Sequence, residues 1–139
     1  MSISKITTSE LLQLSQASGR GDLRALQRSL RFLADPANRV QEMTESGPVR
    51  AGVEALELNH ASVAIAATIG KAADHAGQTF LVVNTSASGT AAHTVTLTEG
   101  TFDGINNIVT LNAPGETLMV HFTKDGAGTI LLNSGSVLS

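Results

Sequence analysis

The sequence predicts a mainly β protein, a small antiparallel β-sandwich or prism built as a homotrimer and carrying an N-terminal α-helical arm. Three observations carry that expectation. Apolar and polar residues alternate in three short segments, His93 to Thr98, Ile108 to Asn112 and Thr117 to Thr123, each bounded by turn-forming residues. Leucines at helical spacing lie far upstream of them, near the N-terminus. The apolar residues are also small, since 42% of the 139 residues are hydrophobic yet there is no Trp, no Tyr and only four Phe. At roughly 25 cal/mol per Å² of buried apolar surface, such side chains stabilise a lone sandwich only marginally. Burial against further copies of the chain would supply the difference.

The N-terminal part reads as two helices. Thr7 and Glu10 have capping-box spacing and open a short helix through Leu11, Leu12 and Leu14, which Gly19-Arg20-Gly21 interrupts. Asp22 then caps a second helix in which Leu23, Leu26, Leu30 and Leu33 form one apolar stripe, expected to pack on a neighbouring domain or on further copies; Asp35-Pro36 ends it. Arg20, Arg24, Arg28 and Arg31, spaced four, four and three, form a second line along the same segment. That line is expected to be either a basic docking face for an acidic partner or a solvated face that confers solubility. Ala37 to Gly52 is polar, lacks a sustained period and contains Gly47-Pro48, so it reads as a linker or extended arm. The expected division is therefore an arm and linker over 1–52 and a β-domain over 53–139.

From Val53 the period changes to two. Leu56 and Leu58 alternate with Glu57 and Asn59, and Val63, Ile65 and Ala67 alternate with alanines, predicting two strands joined near Asn59-His60; alanine propensity leaves a helix over 61–67 as the alternative. Gly70 to Gly77 reads as a loop. Gln78 to Asn84 is almost continuously apolar and β-branched, the pattern of a central strand. In the next strand Val95 and Leu97 point inward with the threonines outward, and His93 shares their parity, as a structural histidine satisfied inside the fold would. Asp103-Gly104, Asn106-Asn107, Ala113-Pro114-Gly115 and Lys124-Asp125-Gly126 supply the turns, and Thr129 to Asn133 and Val137-Leu138 end the chain. Val-Thr-Leu occurs at Val95 and again at Val109; one echo predicts two strands in similar environments rather than a solenoid.

Charge and motif content narrow the function classes. Residues 1–50 carry a net charge of +2 and residues 51–139 a net charge of −5. An acidic, aromatic-poor β-part argues against a nucleic-acid groove. There is no cysteine, hence no disulfide, thiol nucleophile or cysteine-based zinc site, and no apolar run approaches the ~18 residues of a membrane span. Met1-Ser-Ile-Ser-Lys is not followed by an apolar signal region, so the expectation is a chain made in the cytoplasm that stays there or leaves with a particle or by lysis. His60, His75, His93 and His121 lack metal-ligand spacing, and no cofactor is expected. His121 lies on the opposite face of its strand from Val120 and Phe122, where threefold copies could meet at an axis. Asp74-His75 with Ser86 or Ser88 does not fit a nucleophile elbow, and Asp103 fits turn chemistry better than a calcium loop. No arrangement supplies nucleophile, base and charge stabiliser together, which points away from an enzyme.

The runs AGQTFLVVN (76–84), AHTVTLTEGTFDG (92–104), NNIVTLNAPGETL (106–118) and the closing NSGSVLS resemble the C-terminal β-domain of small virion proteins of tailed bacteriophages. The match covers about 60 residues of turn and strand positions. The resemblance implies a decoration protein, also called cement or head-fibre protein, that binds the outside of the capsid as a homotrimer with the major capsid protein as partner. The alternatives are a tail-fibre or receptor-binding module, whose turns at Gly100 to Asn107 or Lys124 to Gly128 would contact a host glycan, and a bacterial carbohydrate-binding or adhesion module.

Overall fold

The computed structural model describes Gln27 and residues 36–139. The chain forms two compact units, Met1–Arg39 and Val40–Ser139. Of the first, Gln27 is helical and Pro36–Arg39 form a short 3-10 helix. The predicted helices, with Arg20, Arg24, Arg28 and Arg31 and with Leu23, Leu26, Leu30 and Leu33, lie outside the described residues.

The second unit is a sandwich of two five-stranded sheets. Its strands are β1 (Val40–Met43), β2 (Gly47–Pro48), β3 (Ala55–Leu58), β4 (Ala66–Lys71), β5 (Thr79–Asn84), β6 (His93–Glu99), β7 (Ile108–Leu111), β8 (Thr117–Phe122), β9 (Gly128–Ser134) and β10 (Val137–Leu138). The first sheet has the order β1-β3-β5-β8-β9 and the second β2-β4-β6-β7-β10, counted here from the β2 edge. Successive strands from β1 to β6 alternate between the sheets, so the chain winds around the core in three parallel turns: β1 on β3 on β5, and β2 on β4 on β6. It then reverses, and β7, β8, β9 and β10 add antiparallel pairs to both sheets.

The expectation of an antiparallel sandwich is corrected accordingly: both sheets are mixed. A parallel pair needs a crossover of a dozen or more residues, and here a strand of the opposite sheet serves in place of the usual helix. β4 is the crossover between β3 and β5, so the two strands expected to meet near Asn59-His60 lie in different sheets. The second of them begins at Ala66, not Val63, and runs to Lys71, into the expected loop. Segment 37–52 is corrected as well, since it contributes β1 and β2. Its inward residues include Met43 and Val49, which join the core, but strands of four and two residues are too short to show a period.

Alternation decides the rest. Leu56 and Leu58, Ala67 and Ile69, Phe80 and Val82, Val95 and Leu97, Val109 and Leu111, and Leu118, Val120 and Phe122 all turn inward to form one core between the sheets. β5 is the central strand of the first sheet, as its apolar run predicts. Val95 pairs with Val109 across β6 and β7, which gives the two Val-Thr-Leu segments their shared environment.

Candidate functional site

Five passages from one sheet to the other, residues 44–46, 59–65, 85–92, 112–116 and 135–136, lie at the same end of the sandwich. A buried polar network joins two of them, 59–65 and 85–92, through the first residue of β6 and the last of β5. Nδ1 of His93 accepts the Ile65 N–H at 3.0 Å, so the ring proton sits on Nε2, 3.2 Å from Ser86 Oγ. Ser86 Oγ accepts the His60 N–H and donates to the His60 carbonyl, each at 3.1 Å, while the Ser86 N–H donates to Asn84 Oδ1. Burial holds the His93 pKa below the ordinary imidazole value. His93 is thus the inward, satisfied histidine its parity predicts. Its pairing with Ser86 was not legible, because the two residues meet only where loop 85–92 turns back over 59–65. The pair is not a nucleophile and base as it stands, because the nitrogen facing Ser86 already carries the proton.

The opposite end carries an open recess of about 420 Å³, between the β2–β3 passage and the segment following β4. Val49 and Ile69 line it with Arg50, Asp74, His75 and Gln78. Arg50 is anchored by its N–H to Gln41 Oε1 at 2.7 Å and by Nη2 to the Val40 carbonyl at 3.2 Å. His75 Nδ1 lies 2.9 Å from Gln78 Oε1, and its ring packs against Phe122 and Phe80 at centroid distances of 5.5 and 6.1 Å. One cation, one anion, an amide and an imidazole over an apolar floor can hold a small polar ligand through several hydrogen bonds. Among the described residues no group of three or more His, Cys, Asp or Glu side chains could hold a metal ion.

The outer face of the first sheet supplies the third feature. The registers Val40–Ala55, Ala55–Leu81, Leu81–Met119 and Met119–Leu132 align five apolar side chains in one row across all five strands. A polar row, Thr79, His121 and Thr129, flanks it on one side, and a mixed row, Glu42, Glu57, Val83 and Thr117, on the other. His121 is half-buried there and its Nδ1 lies 3.0 Å from Thr79 Oγ1. It faces away from Val120 and Phe122, as predicted. The row itself was missed, since it emerges only when five strands are in register.

Asp103 is a turn residue, as its Asp-Gly context predicts. Its carboxylate accepts from the Ile105 and Asn106 N–H groups and from Asn106 Nδ2, and the bonds from Asn106 in particular hold its pKa below the usual range. No described helix is long and apolar enough to cross a membrane. No family model, curated protein or solved structure matches this chain.

Proposed function

We propose that the protein is a structural component of a bacteriophage virion, a decoration or cement protein that binds the outside of the capsid as a homotrimer and stabilises it. The observation that carries this reading is the apolar row Val40–Ala55–Leu81–Met119–Leu132, which a lone sandwich leaves partly open to water and which a second protein surface would cover. The capsid as the setting rests on the resemblance of residues 76–118 and the closing NSGSVLS to phage virion proteins, which is a reading of the sequence alone. The basic line Arg20, Arg24, Arg28 and Arg31 is the proposed contact to the major capsid protein, and Leu23, Leu26, Leu30, Leu33 and His121 are proposed contacts between copies. No cofactor, nucleic acid or membrane takes part, and the protein is not an enzyme in this reading.

The mechanism is mass action. A protein that binds assembled shell, and not its separate subunits, stabilises the shell by RT ln(1 + [L]/Kd), about 2.7 kcal/mol per site at a hundredfold excess over Kd. The test is co-sedimentation with empty capsids. Wild-type protein is expected to pellet at fixed stoichiometry, and Arg24→Glu with Arg28→Glu to remain in the supernatant with an unchanged circular dichroism spectrum. Unaltered pelleting of the double variant would remove the docking role of these arginines, and failure of the wild type to pellet would remove the capsid reading.

The recess around Arg50, Asp74, His75 and Gln78 favours a second reading, a tail-fibre or receptor-binding module that holds a host glycan. Glycan-array binding that is lost in Asp74→Ala would establish it in place of the first.

A further inference from the structure

We propose that copies of this chain associate through the β9–β10 end of the sandwich, strand edge against strand edge, an inference that rests on the self-association proposed above and adds a surface to the contacts named there. β9 and β10 are the outermost strands of the two sheets, and among the described residues no strand pairs with their far sides. β9 has seven residues, equalled in length only by β6 among the described strands, so its outer edge presents a long row of backbone donors and acceptors. Leu131, Leu132 and Val137 on these two strands are 56%, 49% and 55% exposed.

The two ends of the sandwich differ in a way that identifies the occupant. The β1–β2 end is guarded by the devices that keep sheet edges apart: strands of four and two residues, Pro48 in the shorter one, and Glu42, Glu45 and Arg50 in and around them. The β9–β10 end has two such devices, the two-residue β10 and the bulge between Met119 and Val120, but it has no proline in its strands, and its side chains carry no charge from Gly126 to Ser139. At a symmetry axis each residue meets its own equivalents, so any charge there would face its like. An uncharged edge fits a second copy of itself. Head-to-tail addition would instead press Glu42 and Glu45 against Leu131 and Leu132 and strip them of water, which disfavours an open fibre and favours a closed assembly. Pairing at β9 would also extend the apolar row, whose last member is Leu132, towards the neighbouring copy.

The experiment is native mass spectrometry of the full-length chain at low micromolar concentration, for the wild type, Leu132→Lys, Val137→Lys and a control, Thr68→Lys, on the outer face of the second sheet. The wild type and Thr68→Lys are expected to be oligomers, and the two edge variants to lose the oligomer mass while keeping the β circular dichroism signal. Edge variants with wild-type mass would overturn this surface and leave self-association standing. A monomeric wild type would overturn both. Hydrogen exchange on the wild type decides the matter if a variant fails to fold. Amides of Gly128–Ser134 should gain protection as concentration rises, and equal protection at all concentrations would overturn the proposal.

Discussion

His93 accepts a hydrogen bond from the Ile65 amide on the nitrogen it would have to protonate, and it does so fully buried. That burial holds its pKa in the folded protein below the ordinary 6.5 that it regains on unfolding. Above that value the ring is neutral in both states and contributes no pH dependence. As the pH falls through 6.5 the unfolded chain takes up a proton that the folded ring resists, and stability drops with a slope approaching about 1.4 kcal/mol per pH unit until the folded pKa is reached. Thermal unfolding followed between pH 8 and pH 5 should show a melting temperature falling on the acid side. His93→Gln should flatten that part of the profile, and equal slopes for the two proteins would show that the ring is not the group responsible. Gly128 is a residue-scale constraint of another kind. Its φ is not in the left-handed region, yet a Cβ there would lie 2.3 Å from the Phe102 carbonyl oxygen and 2.5 Å from that of Thr101. Backbone must move to admit it, so Gly128→Ala is expected to lower stability by about 1–3 kcal/mol in urea denaturation; an unchanged midpoint would show that the 101–102 turn yields freely.

At the scale of elements, legibility followed the length of the period. Leu118, Val120 and Phe122 alternate over six residues, and Val95, Leu97 and His93 over five, so their strands and inward faces could be read directly. β1 and β2 could not, because Gln41 and Met43 make only one step of alternation before the turn. The same short strand makes a test. If 40–43 were a linker, Met43→Ala would be nearly silent; packed at 6% exposure in the core, it is expected to cost about 2–5 kcal/mol, read as a lowered midpoint of denaturation at unchanged slope. The candidate sites were less legible than the strands that carry them. Arg50 and Asp74 are brought to one recess, and Ser86 and His60 to one network, only because the chain coils, and alternation within a strand does not say which sheet that strand joins.

At the scale of the whole molecule, the core is one cluster that reaches from Met43 and Val49 to Ile130 and Leu138, so every winding shares it. The first winding, β1 with β2, covers the edges of β3 and β4 through four residue pairs on one side and two on the other, and the chain continues the pairing around the corner with Asn59 N–H on the Met43 carbonyl and Val49 N–H on that of Thr68. A fragment 40–139 therefore contains all described parts of the sandwich and should unfold in one cooperative transition. A fragment 53–139, cut where the sequence pattern alone places the start of the β-domain, loses the first winding. It uncovers the ladder groups of β3 and β4 and removes Met43 and Val49 from the core, exposing two parallel edges without the protection of Pro48 or of the charged residues beside it. Denaturant melts of the two fragments should place 53–139 at a distinctly lower midpoint and show concentration-dependent aggregation. Equal midpoints would mean that the first winding is an ornament on a sandwich of two four-stranded sheets rather than part of its closure.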